Sequence, residues 1–135
     1  MKRSIPYLIA FTILSIAAAY IWLFIWNPAP PSIEETKAIS IDAVTLFNAF
    51  SQNEKKANAD YLDKVLQVRG EVTNITTNAD GITVILLKTD DMMFGINCTM
   101  EEKNSSIKTG DQVRLKGLCT GYLTDVVLIR CHTQN

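Results

Sequence analysis

A chain of 135 residues has room for one ordinary domain and an appendage. Apolar residues make up 47% and charged residues 20%, the balance of an ordinary globular chain. Removing Lys2 and Arg3, which precede a long apolar run, leaves 11 of the 13 basic residues against 14 acidic ones, about −3 for the remainder. Polyanion binding relies on clustered Lys and Arg that neutralise phosphates, so this charge counts against nucleic acid as a partner.

No charged residue or histidine occurs from Ser4 to Ile33. After a short cytoplasmic N-terminus (1–4), residues 5–26 read as a transmembrane helix. Their 22 residues span about 33 Å, against about 30 Å for a hydrocarbon core. Pro6 is tolerated in the first turn, Trp22 and Trp26 suit a membrane boundary, and Asn27-Pro28 ends the helix. Lys2 and Arg3 keep the N-terminus in the cytoplasm. These features predict a single-pass inner-membrane protein with its C-terminal domain in the periplasm or outside the cell. A cleaved signal peptide is the rival reading. Cleavage near Ala17-Ala18-Ala19 would leave the greasy stretch Tyr20–Trp26 on the mature chain, so an uncleaved anchor is preferred. Residues 27–39, with Pro28, Pro30 and Pro31, read as a semi-rigid linker.

Residues 40–135 read as one extracytoplasmic domain. Ser40 is placed to cap a helix with Asp42 in its first turn, and Ile41, Val44, Phe47 and Phe50 form one apolar stripe. From Val65 the period changes to two: Leu66, Val68, Gly70 and Val72 alternate with Gln67, Arg69, Glu71 and Thr73. A second strand is predicted from Ile82 to Lys88, and a third with Met92, Phe94, Ile96 and Cys98 on one face. Met100–Ile107 has the composition of one or two helical turns. Two further strands follow, one carrying Val113, Leu115, Gly117 and Cys119, the other running from Val126 to about Cys131. The fold class is mainly β (α+β by content). Helix, three strands, short helical link and two strands is the order of a five-stranded OB-fold-like barrel with a preceding helix, although other five-stranded barrels fit the pattern almost as well.

The segments NEKKANADYLDKVLQVRGEV and KTGDQVRLKGLCTGYLTDVVLIRC resemble the bacterial tRNA-anti-like OB-fold family of short exported or membrane-anchored proteins. The resemblance runs from about Ser40 to Cys131. It rests on Asn53-Glu54 before Tyr61, the strand ending in Gly70, Gly110-Asp111 with Gly117, and Cys119 with Cys131. It implies fold and location and carries no established activity. A pairing of Cys119 with Cys131 is what the resemblance suggests.

Three cysteines in an oxidising compartment allow one disulfide between two of Cys98, Cys119 and Cys131. All three also suit buried, inert thiols. The parallel third and fifth strands of an OB barrel bring Cys98 and Cys131 to the same end. Cys131-His132 is a lone pair without metal-ligand spacing. Anchored OB domains that carry haem have a similar architecture, but their histidine-and-tyrosine tail is absent, so haem or metal carriage is a remote reading. No cofactor is expected. Ligands of OB barrels meet the second and third strands and the loops after the first and fourth strands. Here those loops are 76–81 and 120–125, with one aromatic residue, Tyr122, and no basic one. Arg69 and Lys88 are the strand residues nearest that face, so Arg69, Lys88 and Tyr122 form the candidate ligand face. No nucleophile–base pair, paired acid motif or metal cluster points to an enzyme. The reading that follows is a non-catalytic anchored module contacting a protein or envelope component. Nucleic-acid or oligosaccharide binding is the alternative that the fold suggests.

Overall fold

The computed structural model describes residues 5–25, 32–102 and 106–134, and the chain divides into two units, Met1–Pro31 and Ser32–Asn135. In the first unit, helix α1 spans Ile5–Ile25. Its side chains are described over residues 10–23, and all are exposed. Among the described residues no helix is long and apolar enough to cross a membrane. That finding corrects the expected anchor over 5–26, and with it the inner-membrane location, the periplasmic placement of the domain and the membrane as a partner. Lys2, Arg3, Trp26, Asn27 and the three linker prolines lie outside the described residues.

The second unit opens with strand β1 (Ile39–Asp42), helix α2 (Ala43–Gln52) and helix α3 (Glu54–Tyr61). Ser40 therefore lies in a strand, and Asp42 is the N-cap of α2. Its carboxylate makes no capping hydrogen bond and instead accepts one from Arg69 Nε at 3.0 Å. Asn53 ends α2 and starts α3, where its side chain accepts a hydrogen bond from Lys56 N–H.

Five strands follow: β2 (Val65–Thr77), β3 (Thr83–Leu87), β4 (Ile96–Met100), β5 (Gln112–Tyr122) and β6 (Val126–Thr133). The sheet order β1-β2-β3-β4-β6-β5, with β5 returning to β2, closes β2–β6 into a barrel. Among the described residues, only β4 with β6 and β1 with β2 run parallel. The five-stranded barrel with a preceding helix is thus present, with β1 added beside β2. Residues 100–102 and 106–107 hold no helical turn, so α2 and α3 supply the helical layer. Leu46, Phe47 and Phe50 of α2 pack on the barrel residues. Phe50 lies against Tyr122 at 5.7 Å and Tyr61 at 6.2 Å between ring centroids.

The expected third strand is shorter than its apolar pattern. Asp91 Oδ1 accepts from the backbone N–H of both Met93 and Phe94, and Thr89 Oγ1 donates to Phe94 O. These local bonds compete with the sheet ladder, so 88–95 is a loop and Met92 and Met93 stand in solvent.

The barrel interior is tight beside Cys131. A Cβ on Gly117 would lie 2.5 Å from Cys131 Sγ and 3.0 Å from Ile129 O. Gly117→Ala should therefore destabilise the protein by about 1–3 kcal/mol through overpacking. Cys131→Ala in the same chain should recover part of that loss, a non-additivity that a double-mutant cycle by guanidinium denaturation measures. Phe50→Ala should cost about 3–5 kcal/mol in the same assay, because it empties the plug of the barrel.

Candidate functional site

The outer face of the barrel beside β1 carries two exposed arginines, Arg69 and Arg114. Cross-strand partners share a face, and Arg69 of β2 pairs directly with Arg114 of β5. On the other side Arg69 pairs with Asp42 of β1, the contact that holds its guanidinium. Two like charges directly opposite one another are unfavourable in a sheet, so this arginine pair is not explained by barrel stability.

Arg69 forms a shared wall between two clefts. The larger, about 830 Å³, runs from the start of α2 across Arg69, Gly70 and Glu71 to Lys88 and Asp90. Lys88 Nζ stands 3.7 Å from Glu71 Oε2, and Asp90 Oδ2 accepts from Asn48 Nδ2 at 3.2 Å. The smaller, about 230 Å³, is lined by Ser40, Asp42, Gln67, Arg69 and Arg114. Two of the residues singled out from sequence, Arg69 and Lys88, thus line one cleft. Arg114 joins Arg69 through strand register. Alternation along β5 places it on the outer face, but only the pairing of β2 with β5 sets it opposite Arg69.

Tyr122 is not with them. Its ring packs edge-on to Phe47 at 6.0 Å and stacks on Phe50, so it serves the junction between α2 and the barrel. Neither loop of the expected ligand face supplies a cation. In the first, Asn78 Oδ1 accepts from Asp80 and Ile82 N–H groups to form a compact turn.

A second charged cluster lies on β6. His132 Nε2 is 2.6 Å from Glu101 Oε2, and its Nδ1 is 3.5 Å from Glu34 Oε1. Both ring nitrogens therefore face carboxylates, and no group of three His, Cys, Asp or Glu residues suited to a metal occurs among the described residues. Cys98, Cys119 and Cys131 are free thiols, all buried. A hydrogen bond with Cys131, then burial, pushes the Cys98 thiol well above its ordinary value, and burial raises that of Cys119. Thiols held protonated are poor nucleophiles.

The fold is similar to the crystal structure of a Klebsiella pneumoniae subsp. pneumoniae MGH 78578 protein described as a "putative nucleic acid-binding lipoprotein". The TM-score is 0.55 at 17% identity, covering 81% of this chain and 100% of that one. No curated protein matches the chain. The tRNA_anti-like family profile matches residues 1–133, and the chain belongs to that family.

Proposed function

We propose that the domain binds single-stranded nucleic acid across the outer face of β2 and β5, with phosphates against Arg69 and Arg114 and a third beside Lys88. The observation that carries this reading is the pair of arginines opposite one another on that face, both lining the smaller cleft, with Arg69 also lining the larger one beside Lys88. The barrel's likeness to a solved structure described as a "putative nucleic acid-binding lipoprotein" supports the same ligand class. This reading replaces the anchored scaffold expected from sequence, whose anchor the described residues do not supply.

Arginine suits the task because its planar guanidinium meets two phosphate oxygens at once. The cations sit among Asp42, Glu71 and Asp90, and the domain is net acidic, so binding is expected to be weak and local to the clefts. Among the described residues no aromatic ring lines either cleft, so the strand is held by its backbone with little base preference. Three neutralised phosphates give a salt slope near −2 for a single strand.

Fluorescence anisotropy with labelled oligothymidylate and oligouridylate at about 20 mM salt tests this. Saturable binding with a slope near −2 is expected, with at least a tenfold loss in the Arg69→Ala/Arg114→Ala double variant. No saturable signal at low salt, or an unchanged signal in the double variant, sinks the reading. The variant should remain folded. The Arg69–Asp42 pair is more than half exposed on both sides, and such pairs contribute about 0–1 kcal/mol. Removing Arg114 relieves a like-charge contact, so a thermal melt should show little change or a slight gain.

A further inference from the structure

We propose that Cys98 and Cys131 are a disulfide-forming pair, closing a covalent link between β4 and β6 inside the barrel. The pairing depends on a bulge. Cys98 faces Leu128 and Met100 faces Cys131, so β6 advances three residues while β4 advances two. The same extra residue shows against β5, where Leu118 faces Ile129 and Lys116 faces His132. Arg130 lies in this step with φ 52°, a left-handed conformation costly for a residue with a side chain.

The extra residue reverses the inward–outward alternation of β6. Without it, Leu128 inward would put residue 130 inward and Cys131 outward. With it, Cys131 turns into the barrel and is fully buried, as is Cys98. Gly117 on β5 leaves the space that Cys131 Sγ occupies. The neighbouring Cys131 thiol is also the first cause that pushes the Cys98 thiol above its ordinary value.

The other pairings are farther apart. Cys98 and Cys119 both face Leu128 from opposite sides, which puts them two strands apart, about 10 Å. Cys131 lies three residues beyond Leu128, the residue facing Cys119, so that pair is also out of register. Cys98 and Cys131 are a single diagonal step apart on neighbouring strands. Diagonal partners sit about 7–8 Å apart, and a disulfide needs Cα atoms within about 7 Å. Closure therefore asks the strands to approach by about 1 Å.

The oxidant is a low-molecular-weight disulfide. One thiolate attacks it, giving a mixed disulfide and releasing one small thiolate. The second protein thiolate attacks the protein sulfur of that mixed disulfide and releases the other. Two protons leave the protein, and the small disulfide is reduced by two electrons. Both thiols are shielded from solvent in the folded barrel, so exchange proceeds during folding or on opening.

The test uses the full chain carrying Cys119→Ser, unfolded, reduced, and refolded with glutathione disulfide. Mass spectrometry after iodoacetamide in denaturant should show no alkylated cysteine and a mass lower by two hydrogens. The oxidised form should melt about 5 °C or more above the reduced one. Two alkylated cysteines, a persistent glutathione adduct or an intermolecular dimer would overturn the proposal. The wild-type chain, refolded in the same way, must give a digest peptide linking Cys98 to Cys131. A link from Cys119 to either of the others overturns it equally.

Discussion

The barrel depends on one strand serving two sets of partners. The first half of β2 pairs with β5 from Val65 to Glu71, and its second half pairs with β3 from Val72 to Thr77. A flat strand cannot do this, because the sheet must curl through closure between the two halves. The change is made at Gly70–Asn74. A bulge lies between Val72 and Asn74, and Gly70 leaves room for its neighbours. A Cβ on Gly70 would stand 2.9 Å from that of Ala43, so the missing side chain lets the first turn of α2 settle against the strand.

That contact decides where function can sit. With α2 seated over Gly70, its start, the end of β1 and the midpoint of β2 converge, and Arg69 is carried to the junction. The neighbouring outer surface is spent on internal contacts. Lys116, two residues from Arg114 on the same face, is buried and donates through Nζ to Glu34 O at 2.7 Å. Ile33 is buried beside this strap, and His132 joins it through Glu34. The segment before β1 thus reaches Lys116 of β5 and His132 of β6, while Arg69, Arg114 and Lys88 stay exposed along the clefts.

Periodicity made much of this legible. The alternation from Leu66 to Val72 and from Val113 to Cys119 marks barrel strands, and the stripe through Phe47 and Phe50 marks the helix that plugs the barrel. Polar side chains that bond to nearby backbone were harder to read. Asp91 and Thr89 fold 88–95 into a loop although Met92 and Phe94 have strand spacing, and β1 arises where Ser40 promised a cap. For the site, Arg69 and Lys88 were visible as outward strand residues. Arg114 gained meaning from register, which one strand's pattern does not contain, and Tyr122 looked available because nothing in its own strand discloses the rings of α2. The apolar run at the N-terminus had the composition of an anchor, but among the described residues no helix is long and apolar enough to cross a membrane.

The acidity of the domain bears on ligand choice less than its net charge suggests. At physiological ionic strength exposed charges beyond about 8 Å are largely screened, so a phosphate at Arg69 responds chiefly to Arg114, Lys88 and the carboxylates between them. Those carboxylates already hold the cations, and a phosphate must displace Asp42 to engage Arg69 fully. The displaced group has another partner. Asp42 is the N-cap of α2, makes no capping hydrogen bond while bound to Arg69, and is placed at the end of the helix where a carboxylate is favoured. Exchanging an arginine contact for a cap leaves few polar groups unpaired. The site can therefore take up an anion without a large penalty from its own carboxylate, and selectivity then rests on the spacing of the two arginines.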